Sequence, residues 1–240
     1  QSTRVAYNSS FSKSSQGNFF INYDRTFGNH QVNAMFGTDM SESENKRSTL
    51  LYVNTPKDYL GDYRTAGTVD TGNSSSGRSE GGTLSYFGNV SYNYKSKYLA
   101  QFLLRSDAST KFAPENYWGV FPSLQLGWVA SKEDWFQNFA PGINNLKLRY
   151  SIGKTGKDNL QAWKWLQLYD LIVNRGNTFG PNGGQLGPGL TPRVNPNRDA
   201  AWDTTLKNNL GIDLTFLQNR LQFTADFYYD KSTEMLIGLA

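Results

Sequence analysis

Residues 86–105 read Tyr-Phe-Gly-Asn-Val-Ser-Tyr-Asn-Tyr-Lys-Ser-Lys-Tyr-Leu-Ala-Gln-Phe-Leu-Leu-Arg, and this stretch decides the fold. Apolar side chains recur at every second position on both sides of the short polar turn at residues 95–97. Successive side chains of a β-strand point to opposite faces, so this alternation is typical of strands with one apolar face. The residues that share this face are Tyr86, Gly88, Val90, Tyr92, Tyr94, Tyr98, Ala100, Phe102 and Leu104. The stretch therefore predicts a β-hairpin with one apolar side.

The same period of two recurs along most of the chain and predicts an all-β protein. The predicted strands cover residues 4–11, 18–27, 31–36, 86–94, 98–105, 120–130, 146–153, 210–216 and 221–229. We therefore expect about nine strands in an antiparallel up-and-down meander.

The connections between these strands alternate in length. Short turns at residues 28–29, 95–97 and 218–220, and a medium one at 131–145, are interleaved with long polar segments at 38–82, 106–119 and 154–204. Residues 163–173 look like a strand but are assigned to the last of these loops, and the low-complexity residues 71–82 are predicted to form a mobile loop tip. Short turns on one side and long loops on the other are typical of outer-membrane β-barrels, so we expect the long segments to be external.

Composition excludes several classes of function. The 240 residues include no cysteine and one histidine, His30, so thiol chemistry is excluded and a histidine-based metal site or catalytic triad is not expected. His30 lies in a predicted turn and is expected to be solvated. The net charge of +4 comes from scattered basic residues, which does not indicate nucleic-acid binding. The S-x-x-K match at Ser10 and the K-T-G match at Lys154 lack the helix and the S-D-N element that such enzymes need, so we expect no enzyme and no cofactor.

Strand length and the polar faces favour a membrane barrel over a soluble β-sandwich. The hairpin arms run about nine to eleven residues, the length that a tilted membrane strand needs. The faces opposite the apolar ones carry charged residues that suit a water-filled lumen, namely Arg105, Lys147, Arg149, Asp213 and Asp226. A soluble all-β carbohydrate-binding module stays the alternative, because its strands also have one apolar face.

Several runs of residues resemble the SusC/RagA-type TonB-dependent outer-membrane transporters. They lie at residues 105–112, 116–123, 126–128, 143–156, 195–197, 201–205, 208–214 and 219–229, in the order and spacing of that family. Together they cover most of residues 83–230, whereas residues 1–82 fit the resemblance more loosely.

The resemblance implies a wall segment of a much larger protein. Members have a plug domain inside a transmembrane barrel of about 22 strands. They reside in the bacterial outer membrane and import oligosaccharides or peptides, with a SusD-like surface lipoprotein as lid and energy from the TonB complex. This sequence has no recognisable plug, TonB-contacting segment or terminal barrel strand. Residues 1–240 are therefore expected to form an internal part of the barrel domain.

The candidate site residues are two pairs that could bind substrate and a set of aromatic residues that could anchor the chain in the membrane. Trp163 and Trp165 are two residues apart and would form either a stacking platform for sugar rings or a small loop core. Arg105 and Asp107 share one strand face and would form either an ion pair of the wall or a substrate contact. Residues expected to anchor the barrel at the membrane interfaces are Tyr92, Tyr94, Tyr98, Tyr117, Trp118 and Trp128. In the predicted strand at residues 120–130, Pro122, Leu124, Leu126 and Trp128 are expected to face lipid, and Phe121, Ser123, Gln125 and Gly127 to face the lumen.

Overall fold

The computed structural model describes residues 4–54, 68–172, 176, 189–193 and 195–235. Its strands are β1 (Arg4–Phe27), β2 (His30–Val53), β3 (Thr68–Val69), β4 (Ser75–Tyr94), β5 (Tyr98–Ser109), β6 (Trp118–Val129), β7 (Ile143–Lys157), β8 (Tyr169–Ile172), β9 (Gly189–Pro192), β10 (Asp203–Phe216) and β11 (Leu221–Thr233). Short helical segments are 3₁₀ turns at Pro114–Asn116 and Ala130–Lys132 and the one-turn helix α1 (Phe136–Phe139). Within these described ranges, no helix is long and apolar enough to cross a membrane.

The strands form one large antiparallel meander and one small hairpin. In the large sheet the order is β1-β2-β4-β5-β6-β7-β10-β11, with β3 beside β2. The hairpin of β8 and β9 forms a separate sheet within the connection from β7 to β10. Each long strand therefore pairs with the next long strand along the chain, which confirms the predicted all-β meander.

The strand count differs from the prediction at the start of the chain. Residues 4–11 and 18–27 were predicted as separate strands, but both belong to the 24-residue strand β1. The polar residues 12–17 between them looked like a connection because they include serines, a glutamine and a glycine. Side chains do not make the ladder hydrogen bonds, so a strand exposed on both faces tolerates such a sequence. The described residues thus hold eight long strands in the large sheet, plus the two-residue β3.

Strands also extend into segments predicted as loops. The 38–82 loop was predicted too long, because β2 continues to Val53 and β4 begins at Ser75. The low-complexity residues 71–82 are therefore not a loop tip, since only residues 71–73 form a turn. The other two loops shorten to residues 110–117 and 158–202. Parts of the predicted loops, at 55–67, 173–175, 177–188 and 194, lie outside the described residues.

The contacts within the chain divide it into two units. The first comprises Gln1–Gly17 with Met40–Gly82, and the second comprises Asn18–Asp39 with Thr83–Ala240. In the first unit, Glu44 forms ion pairs with Lys46 Nζ at 2.7 Å and with Arg78 at 3.0 Å. All of the family-like runs and every candidate site residue belong to the second unit.

Strand register in the second unit aligns apolar side chains across neighbouring strands. We call this side of the sheet the apolar face. Three of its cross-strand rows, taken toward the turn at residues 95–97, are Val90–Phe102–Leu124–Ile152–Asn208–Tyr229, then Tyr92–Ala100–Leu126–Tyr150–Leu210–Phe227, then Tyr94–Tyr98–Trp128–Leu148–Ile212–Ala225. A slip of one residue in any strand would move its apolar set to the opposite side. The predicted facing of residues 122, 124, 126 and 128 as one set therefore agrees with the register.

The opposite side, which we call the polar face, carries mainly amide, hydroxyl and charged side chains. One complete row across six strands is Ser91–Gln101–Gln125–Ser151–Asn209–Tyr228. Buried hydrophobic residues do not lie between these two faces. They are Phe112, Ala113, Phe121, Val129, Ala130, Phe136 and Ala200, which sit in or beside the connections. The middle of the sheet is thus a single layer in which apolar side chains such as Leu126 stay exposed.

Glu133 joins two connections at the turn end of the sheet. Its carboxylate accepts hydrogen bonds from the Tyr98 hydroxyl at 2.7 Å, the Trp128 indole Nε1 at 3.2 Å and the Lys97 ammonium at 3.2 Å. Glu133 and Lys97 are both largely buried. These donors, with Tyr98 first, hold the pKa of Glu133 below the ordinary value of a glutamate. We call this arrangement the Glu133 clasp.

The clasp predicts a pH dependence of stability. Because the pKa of Glu133 is lowered in the folded state, the clasp stabilises the fold above the pKa of an unfolded glutamate, about 4.3. This contribution is lost as pH falls through the lower folded pKa. The melting temperature of the Glu133→Gln variant should therefore differ from wild type at neutral pH and converge with it in acid. Asp134→Asn, at an exposed neighbour, should keep the wild-type profile, and parallel wild-type and Glu133→Gln profiles would contradict the clasp.

Candidate functional site

Two open concavities occupy the polar face. One, of about 410 Å³, is lined mainly by amide and basic side chains, among them Asn93, Gln125 and Arg149. The other, of about 780 Å³, includes Arg105, Asp107 and the ion-paired residues Lys207 and Asp230. Because side chains on this face both donate and accept hydrogen bonds, the surface suits water and hydrophilic solutes.

Arg105 and Asp107 are brought together as the sequence predicted for residues two apart on a strand. The Nε of Arg105 donates to both carboxylate oxygens of Asp107, at 2.7 and 2.9 Å. Its guanidinium also donates to Ser85 Oγ at 3.1 Å and lies 5.6 Å from the ring centroid of Phe87. The pair is thus part of the wall's own contacts, and a role in binding substrate stays a prediction.

A second charged cluster on this face was not predicted as a site. Arg149 pairs with Asp213 through two hydrogen bonds, at 2.8 and 3.0 Å, and reaches Asp226 at 3.2 Å. Asn209 donates to the same Asp226 carboxylate at 3.1 Å. The path from Arg149 to Asp226 crosses Gly211, where an added Cβ would lie 2.7 Å from atoms of both charged side chains. Glycine therefore lets one arginine bridge three strands, β7, β10 and β11.

The loops at residues 110–117 and 158–202 share an aromatic core. Trp202 packs between Phe112 and Phe121, with ring centroids 5.2 and 5.4 Å away. Gly119 and Gly156 make room for the Phe121 ring, since a Cβ at either position would lie 2.5 Å or less from it. The Trp202 indole also donates to the Tyr117 carbonyl at 3.1 Å. We call Phe112, Phe121 and Trp202 the loop core.

Polar contacts around the loop core join the same two connections. Asp158 accepts from Ser109 Oγ at 3.0 Å and pairs with Lys111 Nζ at 3.0 Å. Glu115 pairs with Arg198 at 2.8 Å, and this guanidinium holds the pKa of Glu115 below its ordinary value. The side chains joined here belong to the family-like runs or lie within two residues of them. Their close packing gives these runs a structural role.

Trp163 and Trp165 do not lie on a strand face. Both belong to a turn at residues 162–165, and Trp163 has a left-handed backbone with a φ of 68°. Trp165 is half-buried, with the Arg198 guanidinium 5.7 Å from its ring centroid, whereas Trp163 is exposed. Their spacing of two therefore does not produce a flat pair, and a sugar-binding role stays a prediction.

Four predicted interface aromatics cluster at the turn end of the apolar face. Tyr94 and Tyr98 stack with centroids 6.3 Å apart, and Tyr98 and Trp128 both donate to Glu133. The Tyr92 hydroxyl lies 2.7 Å from His30 Nδ1. His30 is exposed as expected, but it has this partner and also packs on Tyr94.

Trp118 lies at the other end of the same face. Its exposed ring stacks on Tyr86 at 5.9 Å. Trp118 and Trp128 are ten positions apart in β6, which spans about 33 Å along a strand. A tilt of about 40° converts this length to about 25 Å, the usual height of the apolar band of an outer-membrane barrel. Tyr117, by contrast, precedes β6 and contributes its carbonyl to the loop core, so its anchoring role stays a prediction.

Known proteins share this fold and are similar to this sequence. The TonB-dependent receptor P39 of Formosa agariphila is 30% identical over 227 residues, which cover 93% of this chain and 21% of that protein. The TonB-dependent receptor SusC of Bacteroides thetaiotaomicron is 35% identical over 157 residues, covering 64% of this chain and 15% of SusC. The structure of the RagAB peptide transporter matches 99% of this chain and 25% of the transporter chain, with a TM-score of 0.76 at 22% identity. No family model matches the chain.

An antiparallel meander with one apolar and one polar face, matched over nearly its whole length by such proteins, is a stretch of β-barrel wall. Over most of its length the chain thus resembles the TonB-dependent receptors of the SusC/RagA type. It spans 21% of the length of receptor P39 and 15% of the length of SusC.

The loop core predicts a local change in stability. Phe112 is fully buried, so Phe112→Ala should destabilise the paired loops by about 3–5 kcal/mol. Every 1.4 kcal/mol is tenfold in an equilibrium, so opening of these loops should increase by roughly a hundredfold or more. Limited trypsin digestion next to Lys164, Arg193 and Arg198 measures this opening.

Leu190→Ala serves as the matched control, because Leu190 lies in the same connection but is exposed. Its digestion rate should stay close to wild type, since substitutions at exposed positions change stability by about 0.5 kcal/mol or less. Equal digestion rates for Phe112→Ala and Leu190→Ala would show that the loop core does not hold the loops.

Proposed function

We propose that this chain forms part of the barrel wall of a bacterial outer-membrane active transporter that imports oligosaccharides or peptides. The observation that carries the proposal is the alignment of one apolar and one polar face across the strands of the second unit. In this proposal the apolar face contacts lipid, the polar face lines the lumen, and the connections at residues 110–117 and 158–202 are external. The polypeptide acts in transport and catalyses no reaction.

Exposure of the apolar face supports the membrane assignment. Leu126, Leu210 and Phe227 lie in one cross-strand row and are 45, 54 and 69% exposed. A soluble β-sandwich covers such a row with a second sheet, but no second layer packs on it among the described residues. Lipid supplies the missing contact without any further protein layer.

Unpaired sheet edges support the wall assignment. Strands β1 and β11 end the order of the large sheet, so in the described residues each has one side without a partner strand. Backbone groups left unpaired in lipid cost several kcal/mol each, which is why membrane sheets close into barrels. We infer that further strands of a longer polypeptide complete the barrel.

The relatives support a proposal for cargo and partners. The RagAB peptide transporter, which shares this fold, supports a peptide as cargo, and the resemblance to SusC/RagA-type transporters adds an oligosaccharide as the alternative. We infer a SusD-like surface lipoprotein as lid and the TonB complex as energy source, both acting through the full-length protein. The amides and hydroxyls of the polar face suit hydroxyl-rich glycans and peptide backbones alike.

Growth and fractionation test this proposal. The full-length protein should be recovered with the outer membrane, and deletion of its gene should abolish growth on one glycan or peptide oligomer but not on its monomers. Recovery in the soluble fraction would overturn the proposal and favour the soluble carbohydrate-binding module. Unchanged growth on all such oligomers would overturn the transport function.

Arginine substitutions on the two faces test which face contacts lipid. Leu124→Arg places a charge near the middle of the apolar band between Trp118 and Trp128, and should lower the free energy of unfolding in vesicles by about 2–4 kcal/mol. Gln125→Arg, one residue away, points into the proposed lumen and should change it little. Both are measured by urea unfolding of the full-length protein folded into phospholipid vesicles. Equal effects of the two substitutions would contradict the assignment of the faces.

A further inference from the structure

We propose that Trp135 and Phe139 bind the headgroup–acyl boundary of the bilayer, and that the Glu133 clasp positions them there. We call these two residues the turn aromatic pair. The inference rests on the proposed membrane location of the chain. It adds a lipid-binding element that belongs to a connection and lies outside the barrel strands.

Exposure distinguishes the turn aromatic pair from its neighbour. Phe136 is 2% exposed and holds α1 against the rest of the connection, whereas Trp135 is 53% and Phe139 80% exposed. The exposed rings contact each other edge to face, with centroids 6.4 Å apart. A one-turn helix that buries one aromatic side chain and presents two others has an apolar surface that water does not stabilise.

The clasp places this connection on the apolar side of the sheet. Glu133 contacts the Tyr98 hydroxyl and the Trp128 indole, and both residues belong to one row of the apolar face. Trp135 follows Glu133 by only two residues. The Glu133 carboxylate therefore holds the start of the connection beside the outermost aromatic row, on the side where lipid lies in the proposed barrel.

The position of the turn aromatic pair along the strand direction agrees with that of the proposed membrane interface. Trp128 is one residue from the end of β6 and marks one limit of the apolar band of about 25 Å. The turn aromatic pair comes directly after this limit in the chain. Aromatic side chains concentrate at this depth, where an apolar ring meets acyl chains and a polar group meets headgroups. Exposed Lys132 supplies a nearby cation for lipid phosphate.

Continuity with the apolar face favours lipid as the occupant. Tyr92, Tyr98, Trp128 and Leu148 line an almost wholly apolar surface that ends at the clasp. A lipid layer that covers this surface reaches the clasp without a break. A protein partner would have to bind at the edge of the same lipid layer, and this is a separate outcome of the test below.

Fluorescent labels test the position of the pair. The chain has no cysteine, so Phe139→Cys gives a labelling site in a full-length protein whose other cysteines, where present, are replaced by serine. The labelled protein is folded into phosphatidylethanolamine–phosphatidylglycerol vesicles. Quenching is measured with lipids brominated near the glycerol end of the acyl chains and with aqueous iodide. Leu126→Cys is the control for the lipid-facing surface just inside Trp128, and Leu190→Cys is the control for water.

The expected result is strong quenching at position 139 by the shallow bromines and several-fold weaker quenching by iodide than at position 190. Strong iodide quenching at 139 would overturn the inference, and so would protection from both quenchers, which would indicate a protein partner. If the label at position 126 is also not quenched by brominated lipid, the membrane proposal itself fails. Lipid quenching at 126 without quenching at 139 defeats only the present inference.

A second variant tests the positioning role of the clasp. Glu133→Ala in the Phe139→Cys protein removes the acceptor for Tyr98, Trp128 and Lys97, so the label should become several-fold more accessible to iodide. Asp134→Ala is the matched control, because Asp134 is fully exposed and makes only a 3.7 Å ion pair with Lys97. An unchanged iodide response in Glu133→Ala would overturn the role assigned to Glu133.

Discussion

The register between neighbouring strands is the constraint on which the rest of the structure depends. The middle of the second unit is a single layer, so no packed core selects how the strands align. The alignment instead follows from the two faces, because a shift of one residue would place apolar side chains on the polar face and charges on the apolar face. Where such a sheet meets lipid on one side and water on the other, this shift is penalised on both sides at once.

Charged and aromatic side chains secure the register at particular points. Arg149 spans three strands by crossing Gly211, which ties β7, β10 and β11 together on the polar face. Asp213 is paired with this arginine, and Asp226 with both Arg149 and Asn209. The one guanidinium thus offsets one of the two carboxylate charges, and the cluster keeps one net negative charge. The connection between β7 and β10 is long, so a tie of this kind matters more here than at the short hairpin turns.

Much of this architecture follows from period-two patterning alone. The hairpin at residues 86–105, the facing of β6 and the pairing of Arg105 with Asp107 were predicted because each depends on neighbours in sequence. Contacts across long connections were not predicted, since spacing does not show that Arg149 meets Asp213 or that Trp202 meets Phe112. For a related reason, the two-residue spacing of Trp163 and Trp165 did not show whether their rings share a face. Such spacing implies a shared face only on a strand, and these residues lie in a turn. Residues 12–17 and 75–82 were wrongly predicted to be connections. Their polar composition indicates exposure to solvent, but it does not show whether the backbone pairs in a sheet.

The two ends of the sheet use aromatic residues for different purposes, and this difference follows from what each connection must do. At the loop end, Phe112, Phe121 and Trp202 turn inward and give the connections at residues 110–117 and 158–202 a core of their own. These polar connections need such a core because they gain no support from the single-layer sheet. At the turn end one carboxylate, Glu133, joins the short turn at residues 95–97 to the connection at residues 130–142. The aromatic rings there are left free to face outward, where the proposed bilayer supplies the contacts that a protein core supplies at the other end.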